Sequence, residues 1–456
     1  MKHTSPVDAV SVALSGAATV ALSVAVVVVA GVVVVAAAGC APDDRNHGPY
    51  PKEHAGNAVK PTDKRAEGQW YFLHETWGAE QTDEYPPADF MLSLMKDEPA
   101  TFGNQFAAYG FVADPDDDFP VGLKRGTVDS GKVHETCALC HFSVLDDGRR
   151  WMGLPNRHLD IGRFRADVND RWVAAGHAPI VDAASEQKMR AVGPGRFEAS
   201  PSELPEALPV AFPNYITLGD GAPLNYMGTS RDVRTEASFS LFVGFDVGHK
   251  TDKTDIPFPS DGKLNAFLDF FGAMAAPPAP AQEHESVERG KAVFHEARCH
   301  ACHHLGERKL DAIIPTPHDD LTDRVPGDDP AFPRGSIGTD RLHRVLFDGT
   351  GSGGNDIVDF DLIAFVVGHG LSAGESDGYR ASDLRGLAFT APYLHNDSVP
   401  TLEDLLAHAD ERPSSFVRDG FTVNTFAKGN GNGGHEFGGD LSSDDKAALI
   451  AFLKTL

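Results

Sequence analysis

The strongest pattern along the chain is an apolar run. From about residue 10 to residue 38 the sequence is almost wholly Val, Ala, Leu, Ser and Gly, and it then reads Ala37-Ala38-Gly39-Cys40. Behind it, residues 40–65 are rich in Pro, Asp, Lys, Asn and Gly and lack apolar periodicity, the composition of a flexible tether. Helical spacing is clear in Gly262-Lys263-Leu264-Asn265-Ala266-Phe267-Leu268-Asp269-Phe270-Phe271, which predicts a helix. Ala275-Ala276-Pro277-Pro278-Ala279-Pro280 then breaks the chain as a linker. Residues 283–297, with Val287, Ala292, Val293 and Phe294 apolar, predict another helix. Ser442 and Asp444 precede an amphipathic run to Leu453 and predict a capped C-terminal one. The middle of the chain is interrupted by Pro and Gly, as in Leu204-Pro205-Glu206-Ala207-Leu208-Pro209 and Phe212-Pro213-Asn214-Tyr215. There, Phe239, Phe242 and Phe245 read as core packing, with a short strand as the alternative. The pattern predicts a mainly α protein with long loops and little β.

Cysteines change the picture from architecture to chemistry. The chain has five, and four form two Cys-x-x-Cys-His motifs: Cys137-Ala138-Leu139-Cys140-His141 and Cys299-His300-Ala301-Cys302-His303. Two thiols at that spacing add to the two vinyl groups of one haem, and the following histidine becomes the proximal iron ligand. The motifs predict two covalently bound haem c groups, held by Cys137, Cys140 and His141 and by Cys299, Cys302 and His303. A zinc ribbon would bring its cysteine pairs much closer in sequence. A thioredoxin-like pair has no need of a histidine after each motif.

The fifth cysteine gives the apolar run a meaning. Small residues ahead of a lone cysteine resemble a lipoprotein signal peptide, residues 1–39, with Cys40 as the lipidated residue. The run is also long enough for an uncleaved transmembrane helix, and a plain secretory signal is the third reading. All three place the rest of the chain outside the cytoplasm, where c-type haem is attached. Ala41, rather than Asp, after Cys40 favours the outer membrane by analogy with Gram-negative lipoproteins. A formal charge of −26 argues against nucleic acid or anionic lipid as a partner. Membrane contact is expected through the lipid anchor only. Residues 66–275 and 281–456 then read as an N-terminal and a C-terminal haem domain.

The residues after the second motif resemble the diheme cytochrome c peroxidase superfamily. The match lies in Leu384-Arg385-Gly386-Leu387-Ala388-Phe389-Thr390-Ala391-Pro392-Tyr393-Leu394-His395-Asn396-Asp397-Ser398 and the following Pro400-Thr401-Leu402. Gly429-Asn430-Gly431-Asn432-Gly433-Gly434-His435-Glu436-Phe437-Gly438 and the last four residues are similar to a narrower branch, the diheme cytochromes related to the rubber oxygenase RoxA. In the first half, Phe119-Pro120-Val121-Gly122-Leu123 ahead of the motif, and Gly153-Leu154-Pro155-Asn156 with Leu159-Asp160 behind it, fit the same branch. Asp397 departs from the family pattern, which has Gly there.

This resemblance implies two class I cytochrome c-like domains joined by long loops, and a division of labour. His141 would serve the reactive haem, which meets hydrogen peroxide or dioxygen. His303 would serve a relay haem, with His435 as its second iron ligand. His304 is not expected to bind iron, and His395 is expected at a haem propionate or in a structural contact. The carbonyls of Thr390 and Pro392, with Asn156, match positions that hold calcium in the peroxidases. For the reactive haem, His158 is the candidate distal ligand and Met152 a second. If Asn156 aligns with the calcium asparagine, the distal place falls near Gly148 and the site is open, as in the oxygenase branch. His74, His134 and Trp151 are expected in packing or surface roles.

Function follows as a haem oxidoreductase, peroxidase-like or oxygenase-like, using an unidentified reductant or organic substrate. The alternative is a non-enzymatic electron carrier with both haems six-coordinate. Modification of a partner protein, as in the MauG branch, ranks last because that branch's tyrosine ligand has no clear counterpart here.

Overall fold

The computed structural model describes residues 63–200, 206–216, 226, 230, 232–245, 256–303, 313–315 and 378–456. The apolar run, Cys40, most of the tether and His304 lie outside them. Helix dominates the described residues, as the periodicity predicts. The longer helices are α1 (Lys64–His74), α2 (Ala88–Asp97), α3 (Ile161–Ala174), α4 (Ala183–Val192), α5 (Val233–Phe245), α6 (Asp261–Phe271), α7 (His284–Glu296) and α8 (Ser443–Leu453). None of them is long and apolar enough to cross a membrane.

Strands among the described residues form two-stranded antiparallel ladders and no barrel. β1 (Leu123–Arg125) pairs with β2 (Val133–Glu135), and β3 (Phe142–Val144) with β4 (Arg150–Met152). β5 (Arg196–Glu198) pairs with β6 (Pro209–Ala211), and β7 (Ile313–Pro315) with β8 (Gly378–Arg380). The last ladder joins β9 (Ser415–Arg418) to β10 (Phe421–Asn424). Such short ladders pin loops and do not form the core.

Two helix crossings organise the packing, and each turns on a glycine. α1 crosses α6 at Gly68, where an added Cβ would lie 2.1 Å from the Ala266 carbonyl oxygen. α7 crosses α8 at Gly290, where an added Cβ would lie 1.9 Å from the Ala448 carbonyl oxygen. Only a residue without a side chain lets two helix backbones approach so closely. The α1–α6 pair belongs to a core with Phe72, Trp151, Leu264, Phe267 and Phe271, against which Cys137 packs. The α7–α8 pair shares another with Val293, Phe294, Leu402, Leu449 and Leu453, against which Cys299 packs. A third core, centred on α2 and α3, places Phe164 4.6 Å from Phe111 and 4.7 Å from Phe106 and takes in Cys140. Each such edge-to-face pair adds about 0.5–1.5 kcal/mol beyond its burial.

The predicted helices over 262–271, 283–297 and 442–453 form within a residue or two, with Ser442 capping α8 by accepting from Asp445 N at 3.2 Å. The middle of the chain is more helical than its pattern. In α3 the apolar positions alternate with Arg and Asp, so no clean stripe emerges, yet Asp160 caps the helix by accepting from Arg163 N at 3.1 Å. Phe239, Phe242 and Phe245 lie on α5, which removes the strand alternative.

Candidate haem sites

The first motif is a turn between β2 and β3, tied to its surroundings through backbone. Thr136 N donates to Gly122 O at 2.8 Å, and Ala138 N donates to Phe72 O at 3.1 Å, which fixes the motif against α1. His141 is buried, and its Nδ1–H donates to the Pro213 carbonyl at 3.0 Å. That bond sets the tautomer and leaves Nε2 as the nitrogen for a metal. The Tyr215 ring stacks on the imidazole at 3.5 Å and 16°. Burial holds the His141 imidazole down at about 3, against the pull of the Pro213 carbonyl, so the ring is neutral and suited to bind iron. Burial likewise pushes the Cys137 thiol up to about 12 and the Cys140 thiol upward. Redox-active Cys-x-x-Cys pairs have lowered thiol values, which these two lack.

The second motif follows α7 directly. Cys299–Ala301 form a single 3-10 turn, and His303 N closes it by donating to Cys299 O at 2.9 Å. His303 Nδ1–H donates to the Ser382 carbonyl at 2.9 Å, which repeats the arrangement at His141. A cavity of about 530 Å³ opens here, lined by Cys299, Cys302 and His303, with Leu406, Leu453 and His435. The His303 and His435 ring centroids are 6.2 Å apart. Two imidazoles on opposite sides of one metal, at ~2.0–2.1 Å per bond, put their centroids roughly 6 Å apart. Arg157 and Arg380 also line the cavity, and Nε of each is buried without a hydrogen-bond partner. Carboxylates on a bound macrocycle supply such acceptors. The cysteines, the facing imidazoles, the apolar walls and the two guanidiniums fit a haem c.

His435 depends on a loop with no regular structure. Its backbone φ is +56°, and burial, with His303 and Arg412 nearby, holds its imidazole down at about 3. The buried Arg412 grips the loop, its Nη2 donating to His435 O at 2.9 Å while Nε donates to Asp404 O at 3.0 Å. From the other side, Asn396 Nδ2 donates to Gly429 O and Gly431 O, each at 3.0 Å. Ser398 Oγ adds a bond to Gly431 O at 2.9 Å. The segment 395–398 is thus the clamp that presents His435. Nothing in the periodicity marks Arg412, whose role arises only from the carbonyls around it.

Other predicted residues fall elsewhere. His158 is 68% exposed and pairs with Asp419 at 3.0 Å, on the surface. Met152 is buried in the α1–α6 core, where its Sδ accepts from Gln69 Nε2 at 3.7 Å. His134 is buried beside Glu84, and Trp151 Nε1 donates to Ala275 O at 2.8 Å. His74 is buried near Trp70. The Asn156 side chain accepts from His158 N within its own turn at 3.2 Å and donates to the distant Gly110 O at 3.0 Å. Thr390 and Pro392 line the cavity. A direct bond between those two segments comes one residue on, from Arg157 to Asp397 at 2.9 Å. His395 stacks on Tyr379 at 4.5 Å and lines the cavity.

Residues 378–417 match the model of the RoxA-like, cytochrome c-like family. The uncharacterized protein y4iJ of Sinorhizobium fredii (strain NBRC 101917 / NGR234) is 41% identical over a stretch that covers 17% of this chain and only 18% of that protein's own length. Among solved structures, a MauG-like protein associated with microbial copper homeostasis is 21% identical, with TM-score 0.31 over 59% of this chain and 79% of its own. Hydrazine synthase of Kuenenia stuttgartiensis is 15% identical, with TM-score 0.28 over 55% of this chain and 73% of its own. The segment matched by the family model contains the Tyr379–His395 stack and the 395–398 clamp, and over these residues the chain is similar to the RoxA-like, cytochrome c-like family.

Proposed function

We propose that the chain is an exported diheme c-type cytochrome working as a haem oxidoreductase of the peroxidase or oxygenase type. The observation that carries the reading is the unlike company of the two proximal histidines. His303 faces a second imidazole, His435, across its cavity, whereas the ring that meets His141 among the described residues is Tyr215. His303 and His435 would hold a haem there, and it would supply electron relay with little reorganisation. When bound, a haem c with an exchangeable sixth position supplies peroxide or dioxygen chemistry.

The protein's own residues set the terms of that chemistry. Pro213 and Ser382 hold the two proximal imidazoles in one tautomer, and Arg412 with the 395–398 clamp presents His435. The placing of His158 on the surface and of Met152 in the core supports a site at His141 that, with haem bound, would be open to peroxide or dioxygen. In this reading Cys40 carries a lipid anchor to the outer membrane. Calcium, where bound, would use the Thr390 and Pro392 carbonyls. The reactants are hydrogen peroxide or dioxygen with a reductant or an organic substrate.

An EPR spectrum of the ferric holoprotein, with haem content from the pyridine haemochrome, tests the proposal. One high-spin and one low-spin haem, with azide binding to the high-spin one, is the expected result. Two low-spin haems that both refuse azide, before and after one-electron reduction, would instead make the protein an electron carrier. Peroxide turnover with a reduced donor, against oxygen uptake with an organic substrate, separates peroxidase from oxygenase.

A further inference from the structure

The stretch Pro213-Asn214-Tyr215 reaches both motif sites. On one side, the Pro213 carbonyl accepts from His141 Nδ1–H at 3.0 Å and the Tyr215 ring lies on the same imidazole at 3.5 Å. Backbone bonds close that side: Tyr215 N donates to Gly153 O at 2.8 Å, and Gly153 N donates to His141 O at 2.7 Å. On the other side, Pro213 and Asn214 line the cavity that holds His303 and His435. Asn214 Nδ2 donates to the carbonyl of Arg385, another residue of the cavity wall, at 3.2 Å. Asn214 Oδ1 accepts from Ile216 N at 3.0 Å, so the turn is held from within as well.

We propose that Pro213-Asn214-Tyr215 is a connector that positions the His141 imidazole in response to the wall of the second cavity. The inference rests on the two-haem reading above. Three consecutive residues, with one proline, a bonded turn and a buried ring among them, cannot shift at one end without moving the other. The acceptor at Nδ1 governs how strongly the imidazole donates to its metal, and hence the potential of that centre. Pro213 and Tyr215 act on His141 directly. Asn214 acts through them, from a contact on the far side.

The test uses the holoprotein and reads the midpoint potential and EPR signature of each haem by spectroelectrochemistry. Asn214→Ala removes the bond to Arg385 O, and Tyr215→Leu removes the stacked ring. Both are expected to move the potential of the His141 haem upward, because a looser Nδ1 bond leaves less electron density on the iron. The low-spin signal of the His303 haem is expected to persist. Tyr215→Phe keeps the ring and should leave both potentials at the parent values. Asn214→Ser keeps an acceptor for Ile216 N, and decides the matter if the alanine variant loses haem. A parent protein with fewer than two haems overturns the two-haem reading, and the connector with it. Two haems with the His141 potential unmoved in both Asn214 variants overturn the connector alone.

Discussion

The Asp397 carboxylate accepts from Arg157 at 2.9 Å, and this pair joins the turn after the first motif to the turn that follows the Thr-Ala-Pro-Tyr segment. Arg418 meets the same carboxylate at 3.0 Å, and Arg196 lies close by with Nη1 on Asn430 Oδ1 at 2.8 Å. Asp397 is 1% exposed, so its charge faces guanidiniums and not water. Its φ of +55° explains the family's preference for Gly at this position, and Asp is one of the few residues that tolerate that conformation. Asp397→Gly would relieve the backbone and leave buried guanidiniums without their anion. We expect it to lower stability by about 3–5 kcal/mol, measured by urea unfolding of the holoprotein at the Soret band. An unchanged midpoint would mean that the seam does not depend on this charge.

The crossing of α7 and α8 offers a cleaner test of packing. Gly290→Ala drives a methyl group into the Ala448 carbonyl, 1.9 Å away, so the helices must part. A loss of about 1–3 kcal/mol is expected for such overpacking. Gly262, in the first turn of α6, has nothing within 4 Å of an added Cβ. Gly262→Ala should therefore stabilise the protein by about 0.4–1 kcal/mol. Thermal unfolding of the two variants should move in opposite directions.

His435 and His158 should separate in a spectrum. Removing His435 in His435→Ala is expected to turn the low-spin haem high-spin while Cys299 and Cys302 keep it attached. Arg412→Lys should do so in part, because one ammonium cannot span the carbonyls of Asp404, Ala407 and His435 as a guanidinium does. His158→Ala, a change on the surface, should leave both haem signals unaltered. A spin change in the His158 variant would restore that residue as a distal ligand.

Acid should act on a half-buried cluster beside the first motif. Burial alone would raise the Glu84 carboxyl, but Arg165 at 2.9 Å and the nearby His134 outweigh it and hold Glu84 at about 2, below its ordinary 4.5. A carboxyl with a lowered folded-state value contributes stability that is complete above 4.5 and fades as pH falls towards 2. Glu84→Gln should therefore flatten the fall of melting temperature over that window. It should also lower stability at neutral pH, where Arg165 loses a partner. A variant with the same acid limb as the parent would place the titration elsewhere.

Both attachment motifs, the three helices over 261–271, 284–296 and 443–453, and the resemblance after residue 384 could be read along the chain, because each is a local pattern. Cys-x-x-Cys-His is a chemical unit of five residues, and apolar spacing in a helix is set by its own turn. The glycine crossings could not be read that way. Gly68 and Gly290 gain their meaning from Ala266 and Ala448, far along the chain. The same holds for α3, whose charged residues find partners in the tertiary structure, as Arg165 does with Glu135 at 2.7 Å and Arg171 with Glu98 at 2.8 Å.

At the sites the division is sharper. His141 and His303 follow from covalent spacing, and His435 was legible only by resemblance. Its proximity to His303 depends on a glycine-rich loop, and Arg412 on one stretch of chain and Asn396 and Ser398 on another hold that loop. His158 looked equally suitable by distance from its motif, yet the turn at Asn156 carries it outward to Asp419. Sequence separation measures how far a side chain can reach. Which way it points is decided by the backbone hydrogen bonds and packing of residues that lie far from it in the chain.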